Sequence, residues 1–135
     1  MKARNTGHDG SFSTGHGNSN KDMLLRLETM VLMGIDLPIH AIRGQIASAF
    51  DLMIHISRLR DRSRKIVEIS EVTGIKDGEI MLRTLYKFKE QKEVNGKIVG
   101  TFIRENTVLD TNKLKERGLM GDYEVLLSKW KKEVS

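Results

Sequence analysis

Histidine, hydroxyl and glycine residues concentrate in one short stretch near the start of the chain, Asn5 to Ser19, which reads NTGHDGSFSTGHGNS. It holds two of the four histidines, four of the twelve glycines, five hydroxyl residues, one acid and a single large apolar residue, Phe12. Imidazole and hydroxyl groups are donors suited to oxygen-rich partners, and glycine lets backbone approach a ligand closely. Three readings are open. His8, Thr14 and His16 could supply donors on one face of a strand and its flanking turn. Asp9 could join the two histidines in a metal site, although a pair eight residues apart with one carboxylate is a sparse ligand pattern. The composition also suits a solvated amino-terminal arm.

The elements that would position these residues follow directly. Ser19 or Asn20 can cap a helix starting at Lys21, with Asp22 favourable in its first turn. Met23, Leu24, Leu27, Met30 and Val31 fall at helical spacing, and Gly34 is a natural stop. Pro38 fits the first position of a second helix, whose stripe is Ile39, Ile42, Ile46 and Ala49. From Phe50 the period changes to two. Leu52, Ile54 and Ile56 alternate with Met53, His55 and Ser57, the pattern of a half-buried strand. A charged turn over 60–64 leads to a second strand through Ile66 to Val72. Asp77-Gly78 and Asn95-Gly96 are type I′ hairpin signals, and place further strands at 79–89 and 97–103. The expectation is an antiparallel meander. Beyond it, Asp110 or Thr111 caps a short helix ending at Gly118. Asp122 caps a last one, with Tyr123, Leu126, Leu127, Trp130 and Val134 on one face as packing residues.

Other side chains carry chemistry less specifically. Arg58 to Lys65 packs five basic residues into eight positions, which suits a solvated turn, a nucleotide edge, a neighbouring subunit or an acidic lipid. Arg26 and Arg43 flank their helices' apolar stripes, where they could touch phosphate or a neighbouring subunit, or simply sit at the surface. His40 and His55 read as ordinary. The chain of 135 residues is about one domain's worth, with a formal charge of +5 and no cysteine, so disulfides and thiolate metal sites are excluded. No run is long enough for a membrane-spanning helix, and the first ten residues have no signal-peptide h-region. Single-strand nucleic-acid binding wants aromatic residues among basic ones, and no aromatic lies within Arg58 to Lys65, so no specific nucleic-acid binding is expected.

The Asn5–Ser19 stretch resembles the histidine-box segment of the type II/type IV secretion and pilus-assembly ATPases, closest to the tight-adherence-pilus branch called CpaF-like. RLETMVLMGIDLPIHAIRGQIASAFDLMIHISRLRD, Arg26 to Asp61, resembles that family's continuation, so the likeness covers about the first 90 residues. It implies an α/β fold: the C-terminal part of a RecA-like P-loop ATPase core with antiparallel hairpins and short C-terminal helices. Residues 1–90 would be the C-terminal half of the ATPase domain, and 91–135 a divergent hairpin strand and helices. A strand around Ser11 to His16 would belong to the middle of a larger sheet. The resemblance implies catalytic roles at the γ-phosphate of ATP for His16, His8 and Thr14, nucleotide or interface contacts for Arg58, Arg26 and Arg43, and no dedicated metal site. Neither a phosphate loop, G-x-x-x-x-G-K-[ST], nor its acidic Mg²⁺-binding partner occurs in these 135 residues. The chain therefore reads as the carboxy-terminal portion of a hexameric motor, with Met1 an artificial or secondary start and no ATP hydrolysis of its own. ATP and Mg²⁺ would bind only in the full-length parent. Its partners would be copies of itself and inner-membrane platform proteins, at the inner face of the cytoplasmic membrane. The family's usual turn is SRLRDGSR; here Arg62 stands where glycine is expected to supply a positive φ. The alternative is a stand-alone basic α+β binding module without ATPase activity, and a small nucleic-acid-binding protein rests on charge alone.

Overall fold

The computed structural model describes residue 10 and residues 12–134, the last three without their side chains. Two helices come first, α1 (Asn20–Gly34) and α2 (Ile39–Ala49). Ser19 caps α1 by accepting the Asp22 N–H at 3.0 Å, satisfying one of the orphan donors of the first turn. Pro38 is the N-cap of α2 rather than its first helical residue, so the helix starts one residue later than expected, with the Pro38 carbonyl accepting from Ala41 and Ile42. Four strands follow: β1 (Leu52–Arg58), β2 (Arg64–Lys76), β3 (Glu79–Val94) and β4 (Lys97–Arg104). They form an antiparallel meander in the order β1-β2-β3-β4, as the two hairpin signals require. Asp77 and Gly78 have φ of 51° and 78°, Asn95 and Gly96 of 51° and 73°, the positive pairs of type I′ turns. β3 runs unbroken through residue 90.

The β1–β2 turn keeps its left-handed residue despite lacking glycine. Arg62 has φ 68°. The Arg62 N–H donates to Leu59 O at 2.9 Å, and Leu59 N–H to Ser63 O at 2.8 Å, so the turn closes around the strained position. Asp61 supports it by accepting from Ser63 N–H (2.9 Å) and from Ile98 N–H of β4 (2.8 Å). Beside it Arg60 pairs with Glu90 and Glu93 of β3. One arginine of the basic run is thus spent on pinning the turn to the β3–β4 hairpin.

The two faces of the sheet differ. On one, α1 and α2 pack Leu24, Ile42 and Ile46 against Met53, Ile80 and Leu82 to make the core. Side chains alternate along a strand, so Met53 inward turns Leu52, Ile54 and Ile56 outward. They are 49%, 55% and 60% exposed, and Ile66, opposite Ile56, is 40% exposed. The sequence pattern located the strand and its alternation, but the helices cover the face opposite to its apolar row. Met30, placed on the α1 stripe, is likewise exposed, and the buried position there belongs to Glu28.

The tail finds its partner on the outward face. Residues 105–113 cross from β4 back to β1. Asn106 Nδ2 donates to Thr84 O (2.8 Å) and Arg83 Nε to Thr107 O (3.0 Å). The buried Glu71 carboxylate accepts from the N–H groups of Leu109 and Asp110, both at 2.9 Å. Lys113 then pairs with Asp51. A short helix, α3 (Asn112–Glu116), ends at Gly118 with φ 69°, and α4 (Met120–Val134) follows at once. Asp122 lies in the first turn of α4 rather than at its cap, because the positive φ of Gly118 lets the helix restart two residues later. Arg104 lies over the Tyr86 ring at 5.1 Å and over Trp130 of α4 at 5.2 Å, while Leu126 stays exposed.

Candidate functional site

Residues 12–17 form no strand. The expected strand across Ser11 to His16 lacks a neighbour among the described residues: their four strands come from residues 52–104, and an extended segment needs ladder partners to become a strand. Ser11, like His8 and Asp9, lies outside the described residues. What holds the segment is the start of α1. A Cβ on Gly15 would come within 2.2 Å of Met23 Cε, and one on Gly17 within 3.1 Å of Met23 N. The two glycines beside His16 therefore let the backbone lie directly on the first turn of the helix. Asn18 N–H donates to Asp22 Oδ2 at 2.8 Å. That bond, and after it Arg26, holds the Asp22 carboxyl below its ordinary range.

Thr14 and His16 project from this pinned segment and are exposed. An exposed hydroxyl and imidazole two residues apart can donate to one oxyanion. Among the described residues neither bonds to Arg26, Arg43 or Arg58. Arg26 Nε is 3.0 Å from Asp22 Oδ2 on its own helix. Arg43 is committed elsewhere: its guanidinium binds both oxygens of Glu28 (3.0 and 3.3 Å) and Gly78 O (2.8 Å), tying α2 to α1 and to the β2–β3 turn. That bidentate, half-buried arrangement makes Arg43 a clamp between elements. Arg58 is exposed at the end of β1 and has no acidic partner among the described residues. His40 is exposed and His55 half-buried on β1. No group of three His, Cys, Asp or Glu side chains among the described residues could hold a metal ion.

Sequence reasoning passed over the buried polar residues. Asn20, 3% exposed, sends its Nδ2 to Met53 O of β1 and to Ser70 Oγ of β2, each at 3.2 Å. Ser70 is fully buried and donates in turn to Glu68 Oε1 at 2.6 Å. Ser19 and Asn20 looked equivalent as caps. With Ser19 in that role, the Asn20 side chain is turned inward, and polarity alone gives no sign of which one does which. No helix among the described residues is long and apolar enough to cross a membrane.

Comparison with known proteins agrees with the fold-independent part of this reading. The sequence model of the type II/IV secretion system protein family matches residues 1–134. A Sinorhizobium fredii protein named as conjugal transfer protein TrbB is 30% identical over 93 residues, 69% of this chain and 27% of that protein. Two Mycobacterium tuberculosis proteins, from the CDC 1551 and H37Rv strains and also named for conjugal transfer, are each 33% identical over 70 residues, 52% of this chain and 20% of theirs. The chain thus spans between a fifth and about a quarter of the length of these relatives. With the family match running through the glycine-histidine segment, both helices and the whole sheet, the chain belongs to the type II/IV secretion system protein family.

Proposed function

We propose that these residues are the carboxy-terminal portion of a hexameric motor ATPase that powers pilus assembly or type II/IV secretion. The observation that carries this reading is the exposed row Leu52, Ile54, Ile56 and Ile66 on a sheet whose edge strand, β1, has a strand on one side only among the described residues. Contiguous aliphatic surface of this kind is unusual on a self-sufficient monomer, and unpaired edges invite a further strand. A larger domain would cover both. The family match and the much greater length of the relatives support the same reading.

In that setting His16 and Thr14, with His8, donate hydrogen bonds to the terminal phosphate of ATP, where charge develops during phosphoryl transfer. The described residues fit the rim of such a site. They offer donors on a pinned segment but no carboxylate cluster for Mg²⁺, and the sequence holds no phosphate loop. The nucleotide's phosphates and its Mg²⁺ would be held by residues outside this chain. Arg26 and Arg58, both exposed, are available to a neighbouring subunit of the ring. The assembly would work at the inner face of the cytoplasmic membrane against membrane platform proteins.

The test is nucleotide binding. A fluorescent ATP analogue is titrated against the 135-residue chain alone, against a phosphate-loop portion of a family member, and against the pair. Binding and phosphate release by the pair alone, with turnover reduced at least about a hundredfold by His16→Ala, are expected. A pair indifferent to His16→Ala would leave a binding module in place of a motor part.

A further inference from the structure

We infer that Asn20 is a positioning residue for the histidine segment, acting through a buried tether to β1 and β2. This rests on the reading of His16 as a phosphate-facing donor for its purpose, but not for its existence.

Among the described residues no hydrogen bond or ion pair joins His16 to the sheet; the contacts that place its segment are with the helix that follows. Gly15 and Gly17 lie against Met23, in the first turn of α1. Asp22 holds Asn18, and Ser19 caps the same turn. All of these contacts join the segment to α1 and none joins it to the strands. Asn20 supplies the missing link. It is the first residue of α1, four positions after His16, and its amide nitrogen reaches Met53 O on one strand and Ser70 Oγ on the next. An asparagine NH₂ has two donors diverging from one planar group, so it can hold two strands at once.

The rest of the network serves the same geometry. Ser70 donates its single proton to Glu68 Oε1, which leaves its oxygen lone pairs facing Asn20. Among the described residues no buried side-chain nitrogen or oxygen lacks a partner. A buried polar network with every member satisfied specifies one arrangement, because any shift leaves a group unpaired in a low-dielectric interior. The start of α1 is therefore fixed in rotation as well as in position, and with it the backbone that carries His16.

The experiment is NMR on the 135-residue chain. The His16 imidazole resonances are followed together with amide exchange at Met23, whose N–H donates to Ser19 O at 3.0 Å. Asn20→Ala is expected to shift the His16 resonances and to speed exchange at Met23 about tenfold, the loss of one buried hydrogen bond, while Ile42 in the core changes less. Ser70→Ala should move the same signals, and Ser70→Thr, which keeps the hydroxyl, should restore them. Arg43→Met, which loosens the clamp between α1 and α2, is the control: it should lower stability and leave His16 unmoved. Asn20→Ser replaces Asn20→Ala if the latter does not fold. The inference is overturned if Asn20→Ala lowers stability with His16 unchanged, or if Arg43→Met shifts His16 equally. Neither result bears on the nucleotide titration, so the tether and the motor reading fail separately.

Discussion

Isoleucine is found on both sides of the sheet, and the two sides treat it in opposite ways. Under α1 and α2, Ile42 and Ile46 of the helices are fully buried against Met53, Ile80 and Leu82. Across the same strands Ile54 and Ile56 are more than half exposed. Burying an isoleucine contributes about 1.5–3 kcal/mol, so the outward row forgoes a stabilisation that its residue types are suited to give. Among the described residues, the outward face is covered where residues 105–113 cross it, held by Glu71 and Arg83, and where Arg104 lies over Tyr86 and Trp130 of α4. One face is finished by this chain. Among the described residues, the other is covered at one end and open over β1.

The same substitution on the two faces should therefore separate widely. Ile46→Ala is expected to cost about 2–5 kcal/mol in urea unfolding, and Ile54→Ala less than about 1 kcal/mol. Equal costs would mean that the outward row is covered in solution, by another copy or by the tail. Glu71→Ala probes the one covered end of that face. Losing the acceptor for two backbone N–H groups should cost about 2–3 kcal/mol and expose residues 105–111 to limited proteolysis, with Glu71→Gln losing less. Smaller effects are expected at the turn beyond both faces. Arg62→Gly removes the Cβ from a position held at a left-handed φ and should stabilise by about 0.5–1 kcal/mol, visible as a raised thermal midpoint.

The smallest effect concerns acid. Ser63 Oγ, then the N–H groups of Ile98 and Ser63, hold the Asp61 carboxyl at about 2 against an ordinary 3.8. A carboxyl depressed in the folded state contributes its stability above the unfolded pKa and loses it as pH falls through the folded one. Asp61 should thus add to stability above about pH 4 and cease to do so near pH 2, and Asp61→Asn should flatten that part of the acid limb. An unchanged limb would mean that the turn is not docked on β4 in solution.

Much of this architecture was legible in the residues because its causes are local. Period 3.6 in Leu24, Leu27 and Val31, period two from Leu52, and the Asp77-Gly78 and Asn95-Gly96 pairs each act within a few residues, and the meander followed from them. The positive φ at position 62 was signalled only by the resemblance to the family's turn, where glycine stands in place of this arginine. Boundaries shifted by a residue or so where a backbone carbonyl, as at Pro38, took up hydrogen bonds that no side chain signals.

What sequence by itself determined about this protein is its family, its two helices and its hairpins. Only the tertiary structure decided which face the helices cover, which of Ser19 and Asn20 caps and which turns inward, that Arg43 is a clamp, and that the tail is strapped down by Glu71. These outcomes depend on groups far apart in sequence meeting with their hydrogen bonds satisfied. Alternation along β1 is the same whichever side is buried, and a polar residue's pattern does not say whether its partner is water or a strand.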